Sequence, residues 1–141
     1  MKSGGDLRPW IHLTLQGVVA VALVDTGSCR TLISSQLYEK LPRPPPLSPT
    51  PGLLSVSGGE LKCLGEAKIS IGKNRYLKCV VVEDLPVQAL VGIDALSADT
   101  SAIDLQKKVL MLIGKQYPLM TGDHTGFVGS VSLNPIVTDP A

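Results

Sequence analysis

The stretch Val18-Val19-Ala20-Val21-Ala22-Leu23-Val24-Asp25-Thr26-Gly27-Ser28 decides how the rest of the sequence is interpreted. Its continuous apolar run, rich in valine, predicts a β-strand that is buried on both faces. The strand ends abruptly in an aspartate, a hydroxyl residue and a glycine. Polar groups directly after a buried strand are hydrogen-bonded or used chemically, because leaving them unpaired costs free energy. Asp25 is therefore the first candidate for a functional carboxyl group.

The segments around this stretch predict further short strands. Upstream, apolar residues alternate with polar ones and Gly17 marks a turn, which predicts a hairpin from Trp10 to Val24. Downstream, Ser34-Ser35 can cap a short helix over Gln36 to Leu41. Ala95 to Ala98 predicts a second short helix. Further strands are predicted over Thr31–Ile33, Leu53–Val56, Glu60–Leu64, Ala67–Ile71, Tyr76–Val82, Ala102–Leu105 and Val109–Ile113.

Composition agrees with an all-β domain. The chain has 141 residues, of which 44% are hydrophobic and only 4% aromatic, so the core must be built from aliphatic side chains. The turns recur every eight to twelve residues or so, which is typical of a sandwich or barrel. The segment from Pro42 to Pro51 holds six prolines and predicts a stiff surface connection inside the domain, with a proline-rich ligand as the alternative.

Charge and cysteine content exclude several classes of function. Lysine and arginine number 13 against 12 acidic residues, and they are scattered, so no nucleic-acid partner is expected. No apolar run is long enough for a membrane span, and Met1 to Asp6 lacks the apolar stretch of a signal peptide, which predicts a cytoplasmic protein. The three cysteines, Cys29, Cys63 and Cys79, show no zinc-ligand spacing, so we expect reduced, buried thiols, no metal and no cofactor.

One internal repeat suggests two similar half-domains. Ala22-Leu23-Val24-Asp25-Thr26-Gly27 and Ala89-Leu90-Val91-Gly92-Ile93-Asp94 both place Ala-Leu-Val before a turn of small residues. Three matching aliphatic residues alone could arise by chance. Their similar settings favour equivalent roles in the fold.

The tripeptide Asp25-Thr26-Gly27 is a pattern by which a carboxylate can be presented to a substrate. The glycine lets backbone amides approach the carboxylate closely, and the threonine hydroxyl can brace the loop. By itself the tripeptide is a weak signal, because an aspartate that caps a turn satisfies it equally well. The segments that follow it in the chain make it more specific.

The order of these segments resembles the retropepsin family of aspartic proteases. That family includes the protease domains of retroviruses and of gypsy-like LTR retrotransposons, and domesticated genes derived from them. The resemblance rests on Val24-Asp25-Thr26-Gly27-Ser28, Thr31-Leu32-Ile33-Ser34, the glycine-tipped hairpin and Leu90-Val91-Gly92-Ile93-Asp94, and it covers about Ile11 to Ile113. It implies an all-β acid-protease barrel with one or two short helices that works as a homodimer.

The resemblance also implies roles for the residues of the tripeptide and its neighbour. Asp25 is expected to be the catalytic aspartate, Thr26 to form a hydroxyl bridge between two subunits, and Gly27 to line the substrate backbone. Ser28 stands where retropepsins more often carry alanine and pepsin-like enzymes carry serine. Its hydroxyl is expected to donate to the carboxylate and so to lower the pKa of Asp25.

Two further motifs match the family. Ser57, Gly58 and Gly59 match the tip of the flap that closes over the substrate, although an ordinary hairpin turn also explains the two glycines. Val91 and Gly92 match the hydrophobic-hydrophobic-glycine motif. Asp94, which follows that glycine, is expected to have a structural hydrogen-bonding role rather than a catalytic one.

The chain has a single Asp-Thr-Gly, whereas the chemistry of an aspartic protease needs two carboxyl groups. The second must come from another copy, so the resemblance implies a homodimer with an isologous interface and a peptide or polyprotein substrate. We expect a protease domain over residues 1–114 and a C-terminal extension over 115–141 that is partly disordered or lies on the surface. The extension could extend the dimer sheet, link to a following polyprotein domain or obstruct dimerisation.

The resemblance to retropepsins leaves three hypotheses for the function. The leading one is an aspartic endopeptidase of the cytoplasm, including retroelement particles, that processes polyproteins. The second is a catalytically silent module that keeps the retropepsin fold for dimerisation or peptide binding. The third is a ubiquitin-shuttle type protease domain with the same dimeric fold, which differs from the first in substrate and not in chemistry.

Overall fold

The computed structural model describes residues 8–56 and 59–121, and within these residues nearly all regular structure is β-strand. Two short helices are present there, of six and four residues. The elements are β1 (Pro9–Leu15), β2 (Val18–Val24), β3 (Leu32–Ser34), α1 (Ser35–Lys40), β4 (Leu53–Val56), β5 (Gly59–Gly72), β6 (Arg75–Val82), β7 (Ala89–Val91), α2 (Ile93–Leu96), β8 (Ala102–Asp104), β9 (Val109–Leu112), β10 (Lys115–Pro118) and β11 (Met120–Thr121). The predicted all-β class is confirmed.

The first hairpin pairs β1 with β2 through a two-residue turn. Gln16 and Gly17 both have positive φ, at 47° and 86°, which is the mirror-image turn that matches the twist of the strands. The backbone amide of Gln16 also donates to the carbonyl of Ser70 at 3.0 Å, which connects the turn to β5. The hairpin predicted from Trp10 to Val24 is confirmed.

The two Ala-Leu-Val segments pair with each other in the centre of the sheet. Eight strands form one sheet in the order β11-β1-β2-β7-β3-β6-β5-β4, and β10-β9-β8 form a second. Within the large sheet, β2 and β7 run parallel, with Ala22 opposite Ala89, Leu23 opposite Leu90 and Val24 opposite Val91. The repeat in the sequence is therefore a pair of adjacent strands whose carboxyl ends lie side by side.

The core lies on both faces of this sheet. Alternate residues of β2 enter different clusters, with Ala22 and Val24 in the larger one and Leu23 in the smaller one. The larger cluster includes aliphatic residues of β1, β5 and α1, and the smaller one is built around Trp10, which is 1% exposed. This two-sided burial explains the continuous apolar run in the second half of β2. The first half differs from the prediction, because Val19 is 61% exposed.

The proline-rich segment crosses β5 at a point where only glycine fits. Ser48 and Glu66 exchange two backbone hydrogen bonds, at 2.8 and 2.9 Å. Gly65 has φ of 151°, and a Cβ on it would lie 2.7 Å from the Cβ of Leu47. The segment is thus a connection within the domain that is attached to β5, as predicted.

Two boundaries differ from the predicted ones. The strands expected over residues 60–64 and 67–71 form one long strand, β5, whose pairing with β6 shifts register between Cys63 and Gly65. A glycine with positive φ allows such an irregularity without ending the strand. The second helix is Ile93–Leu96 and not Ala95–Ala98. Gly92, in extended conformation, is its N-cap, and Ser97 is its C-cap.

Residues 115–121 form β10 and β11, which are integral to the fold. β10 pairs with β9, and β11 pairs with β1. Tyr117 and Leu119 belong to the larger core cluster and are 4% and 8% exposed. The division of the chain at residue 114 stays a prediction, and residues 122–141 lie outside the described residues.

Candidate active site

Asp25 lies at the carboxyl end of β2, held by backbone hydrogen bonds on both of its sides. Its amide donates to the carbonyl of Val91 in β7 at 2.9 Å, and its own carbonyl accepts from the amide of Ser28 at 3.1 Å. The side chain accepts a hydrogen bond at Oδ1 from the amide of Gly27 at 2.9 Å. A Cβ on Gly27 would lie 3.2 Å from that oxygen, so glycine allows the backbone to approach the carboxyl group closely.

The surroundings of Asp25 favour the protonated acid. Burial is the largest influence and raises the pKa of Asp25, whereas the amide of Gly27 and the positive charge of Arg8 act in the opposite direction. The raised pKa means that this carboxyl group keeps its proton to a higher pH than an ordinary aspartate. Such a group suits a site in which one carboxyl must donate a proton and another must accept one.

The Ser28 hydroxyl does not contact the carboxylate in this protomer. It donates instead to the carbonyl of Arg30 at 2.8 Å. The expectation that Ser28 lowers the pKa of Asp25 is therefore wrong for this protomer, because the hydroxyl is used to close the loop. Thr26 is exposed, next to the half-buried Asp25.

Asp94 is held by a dense set of hydrogen bonds. Its Oδ1 accepts from the Thr31 hydroxyl at 2.7 Å and from the Ala95 amide at 2.8 Å, and its Oδ2 accepts from the Thr31 amide at 3.1 Å. The Thr31 hydroxyl accepts in turn from the amide of Gly92 at 3.1 Å. Thr31 is 1% exposed, so these contacts satisfy polar groups that water cannot reach. The contacts are those of a structural acceptor, the role expected for Asp94.

Gly92 allows the loop after Asp25 to pass directly over the end of β7. A Cβ at this position would lie 2.3 Å from the carbonyl oxygen of Arg30 and 2.8 Å from that of Ser28, closer than real Cβ atoms come to backbone. The amide of Ile93 donates to the same Ser28 carbonyl at 2.7 Å. The glycine is required for close approach of two backbones, and this contact positions the loop that carries Asp25.

An ion-pair network joins this loop to β5. The Arg30 guanidinium contacts the Glu66 carboxylate through Nη2, and its Nε lies 3.5 Å from Oδ2 of Asp94. Arg30 follows the Asp25 loop, Glu66 lies in the long strand of the β4–β5 hairpin, and Asp94 lies in α2. The loop is thereby fixed to two other parts of the fold.

The structure brings some of the predicted site residues together and leaves others undescribed. Asp25, Gly27 and Val91 are connected by hydrogen bonds, and Ser28 and Gly92 are in close contact. Ser57 and Gly58 lie outside the described residues. Gly59 begins β5 opposite Val56, which confirms the β4–β5 hairpin. The roles assigned to these residues in catalysis and substrate binding stay predictions.

Sequence reasoning missed the parts that Thr31, Arg30 and Glu66 play. A signal for Thr31 was present, because a hydroxyl residue directly before the apolar pair Leu32-Ile33 is placed to be buried and to need partners. Arg30 and Glu66 are 36 positions apart, and nothing in the sequence pairs them. Their contact depends on β5 passing beside the loop.

The cysteines are free thiols in three different environments. Cys79 is buried, and burial raises the pKa of its thiol to about 12, so it is an inert core residue as expected. Cys63 is half-buried and Cys29 is exposed, so the expectation that all three are buried is wrong for Cys29. Among residues 8–56 and 59–121, no group of His, Cys, Asp and Glu could hold a metal ion, and no helix could cross a bilayer.

The fold is shared with retroviral proteases and similar domains. The retroviral protease-like domain of Ddi1 from Leishmania major superposes with a TM-score of 0.61 over 86% of this chain and 99% of that one, at 19% identity. The EIAV protease in complex with an inhibitor superposes with a TM-score of 0.55 over 69% of this chain and 92% of that one, at 23% identity. At these identities the likeness concerns the fold.

One curated relative is similar in sequence. The UBA domain-containing protein Mud1 of Schizosaccharomyces pombe is 28% identical over 120 residues, which cover 79% of this chain. The aligned part is 35% of Mud1, so the chain spans about a third of the length of this relative. No protein-family model matches the chain.

Proposed function

We propose that this chain, which has the retropepsin-like fold, is an aspartic endopeptidase that acts as a homodimer. Each copy supplies Asp25, Thr26 and Gly27 to a single site on the two-fold axis. The β4–β5 hairpin of each copy, with Ser57, Gly58 and Gly59 at its tip, covers an extended peptide. Neither a metal nor a cofactor is needed for this chemistry.

The observation that carries the proposal is the setting of Asp25. It is a half-buried carboxyl group with a raised pKa, presented at the end of a buried strand and held by the Gly27 amide. An aspartate that merely caps a turn has no need of desolvation. Desolvation of an acid costs stability, and such costs are concentrated at functional sites. The second acid of the repeat, Asp94, is occupied by Thr31 and Ala95, which leaves Asp25 as the acid available for catalysis.

The chemistry follows from pairing two such acids. In aspartic proteases, two carboxyl groups about 3 Å apart share one proton, because two adjacent negative charges repel each other. The ionised Asp25 accepts a proton from water as the water attacks the peptide carbonyl. The protonated Asp25 of the second copy donates to the carbonyl oxygen, which gives a neutral tetrahedral intermediate. The first Asp25 then passes the proton it took from water to the amine nitrogen, and the second takes back a proton from one hydroxyl as the C–N bond breaks and the acid and amine products leave. The two acids titrate as one coupled pair.

The alternative is a catalytically silent module that keeps the fold for dimerisation or peptide binding. Intact Asp25-Thr26-Gly27 and the raised pKa of Asp25 favour the enzyme. The alternative gains support from the relative, since Mud1 is named for a UBA domain and not for an activity. Both functions need the same dimer, so they differ only in turnover.

For the substrate, the comparisons favour the ubiquitin-shuttle type over polyprotein processing. Ddi1 carries a protease-like domain in a protein that is not named as a polyprotein, and Mud1, of which the aligned part is 35%, is named as a UBA domain-containing protein. We infer that the substrate is a polypeptide presented by such a neighbouring domain. An intracellular location, with retroelement particles as one possibility, remains part of the proposal.

The first test compares wild type with Asp25→Asn on a peptide library at mildly acidic pH. We expect wild type to cleave, a statine-containing transition-state analogue to inhibit it, and Asp25→Asn to lose about 10³-fold or more in turnover while still dimerising by sedimentation. The control Asp99→Asn makes the same chemical change at an exposed position and should retain activity. Equal inactivity of dimeric wild type and Asp25→Asn from pH 4 to 7 would favour the silent module.

A second test asks whether the site is shared between copies. Adding an excess of Asp25→Asn chains to a fixed amount of wild type should suppress turnover, because mixed dimers contain one aspartate. Adding the same excess of a chain with both Asp25→Asn and Thr26→Val should suppress less, because Thr26 is the proposed bridge between copies. Turnover that stays constant in both mixtures would show that each chain carries a complete site and would overturn the homodimer.

A further inference from the structure

A groove runs along the outer side of β6, between that strand and α2. Its volume is about 500 Å³, within the range of ligand pockets. Tyr76, Leu77 and Lys78 line one side, and Ala95, Ala98 and Ile113 line the other. A second hollow of about 540 Å³, lined by Lys73, Asn74 and Arg75, lies next to the first, and Ile113 lines both.

The β6 backbone has a free edge in this groove. β3 covers that side of β6 only at residues 80–82, where the Val80 amide donates to the carbonyl of Thr31 at 2.9 Å. Residues two apart in a strand point their backbone groups to the same side, so the amides and carbonyls of Lys78 and Tyr76 also point away from β5. Among the described residues, no strand pairs with residues 75–79 on this side.

The charge around the free edge is positive. Residues 67–82 contain Lys68, Lys73, Arg75 and Lys78 and no acidic residue. Lys68 and Lys78 lie directly opposite each other on β5 and β6, an unfavourable arrangement of like charges. Arg30 contacts both acids of the groove, Glu66 and Asp94, and balances one of their two negative charges. The residues that line the two hollows include four cations, Arg30, Lys73, Arg75 and Lys78, and two acids, so four positive and two negative charges leave a net positive lining.

The two faces of the free edge differ in chemistry. The side chains of Tyr76 and Lys78 are exposed on the outer face, and Lys68 Nζ lies 5.5 Å from the centre of the Tyr76 ring. Leu77 points to the opposite face, toward the core cluster. A strand added to this edge would place alternate side chains beside lysines and the others toward the apolar wall formed by Ala98 and Ile113.

We propose that this groove is a docking site for an extended peptide of another protein, in which acidic and apolar residues alternate. The peptide adds a strand to the free edge of β6, which supplies backbone hydrogen bonds, and its acids contact Lys68, Lys73 and Lys78. The occupant is acidic because the net charge of the residues that line the two hollows is positive. It is extended because the open backbone groups are those of a strand. The site does not depend on proteolysis.

The probe is a fluorescently labelled hexapeptide, Glu-Val-Glu-Val-Glu-Val, measured by fluorescence polarisation against the full chain. We expect saturable binding that weakens with added salt. Lys73→Glu with Lys78→Glu should weaken it at least tenfold. The matched control, Lys107→Glu with Lys108→Glu, makes the same charge change in the β8–β9 turn and should leave the affinity within twofold.

Two peptide controls separate charge from strand addition. A peptide of the same composition in blocks, Glu-Glu-Glu-Val-Val-Val, should bind more weakly, because its acids cannot all lie on one face. N-methylation of all three glutamates, or of all three valines, removes the backbone donors from one edge of the added strand. One of these two peptides should lose binding and the other should keep it. In backbone NMR spectra, the amides of Tyr76 and Lys78 should shift on addition of the alternating peptide.

Four results would overturn the proposal. The first is no binding, in which case the lysines only protect an open edge from aggregation. The second is displacement of the peptide by the statine inhibitor, which would place it in the catalytic cleft. The third is binding of a single-stranded oligonucleotide, and not of the peptide, that needs Lys73 and Lys78. The fourth is self-association of the chain that Lys73→Glu with Lys78→Glu abolishes.

Discussion

The two Ala-Leu-Val strands end in different surroundings, although they lie side by side in the same register. After β2, Asp25 is half-buried and its carboxyl group accepts a hydrogen bond from the amide of Gly27. After β7, Asp94 accepts three hydrogen bonds and lies near a guanidinium group. One acid is left available for chemistry, whereas the other is fully used in holding the fold together.

Under the proposed function, this difference explains why one chain supplies half of a symmetrical site. The β7 corner does not provide a second catalytic acid, because Asp94 is bound to Thr31 and stabilises the loop that carries Asp25. In the proposed enzyme the second acid must therefore come from another copy. Changes at the β7 corner should affect stability first, and changes at the β2 end should affect activity first.

The largest loss of stability is expected for Gly92→Ala. The new Cβ would lie 2.3 Å from the Arg30 carbonyl oxygen, and backbone atoms must move to relieve the contact. We expect a loss of about 3 kcal/mol in the free energy of unfolding, measured with urea. Gly52→Ala, where a Cβ meets nothing within 4 Å, should change it by less than about 0.5 kcal/mol. Equal effects of the two substitutions would contradict the close approach.

The next largest loss of stability is expected for Asp94→Asn. Asp25→Asn is the matched comparison. At Asp94 the new amide group replaces one oxygen, so a buried donor such as the Thr31 amide loses its acceptor, at a cost of about 2 kcal/mol. At Asp25 the substitution removes a desolvated acid, and unfolding should change by less than about 0.5 kcal/mol at pH 7. The contrast between the two sites fails if Asp25→Asn destabilises the chain as much as Asp94→Asn does.

A smaller loss of stability is expected for Thr31→Val, with Thr26→Val as the comparison. Thr31→Val removes the hydroxyl that accepts from Gly92 and donates to Asp94, and should cost about 1.5 kcal/mol in urea unfolding. Thr26→Val changes an exposed residue and should leave protomer stability unchanged. Under the proposed function, Thr26→Val instead weakens the dimer, which sedimentation at several concentrations would detect. Unchanged dimer affinity would remove Thr26 from the interface.

The smallest effect is the pH dependence of stability that comes from Asp25. Because its pKa is raised in the folded state, the acid contributes stability below the pKa of the unfolded chain, near pH 4, and that contribution is lost as the pH rises through the higher folded value. Wild type should thus lose stability relative to Asp25→Asn between about pH 4 and the folded pKa. Urea unfolding of both proteins from pH 3 to 7 measures the difference. A relative gain of wild-type stability over this range would mean that the pKa is lowered.

Much of the fold could be predicted because its signals are local. The turn at Gly17, the cap at Ser34 and the apolar run of β2 each follow from neighbouring residues. Boundaries were predicted less well where a tertiary contact decides them, as at Gly65, where the strand continues because the segment around Leu47 crosses it. The clustering of lysines along β5 and β6 was missed, because residues spread along the chain meet only after the strands pair.

The class of the fold and the position of Asp25 at the end of a buried strand could be predicted from the amino-acid sequence alone. Both depend on the type and order of neighbouring residues, which hydrophobic periodicity reveals. The hydrogen-bond partners of Asp94, the acceptor of the Ser28 hydroxyl and the open edge of β6 became known only from the folded chain. Each of these depends on hydrogen bonds between segments that are far apart in the chain, and the sequence does not specify those pairs.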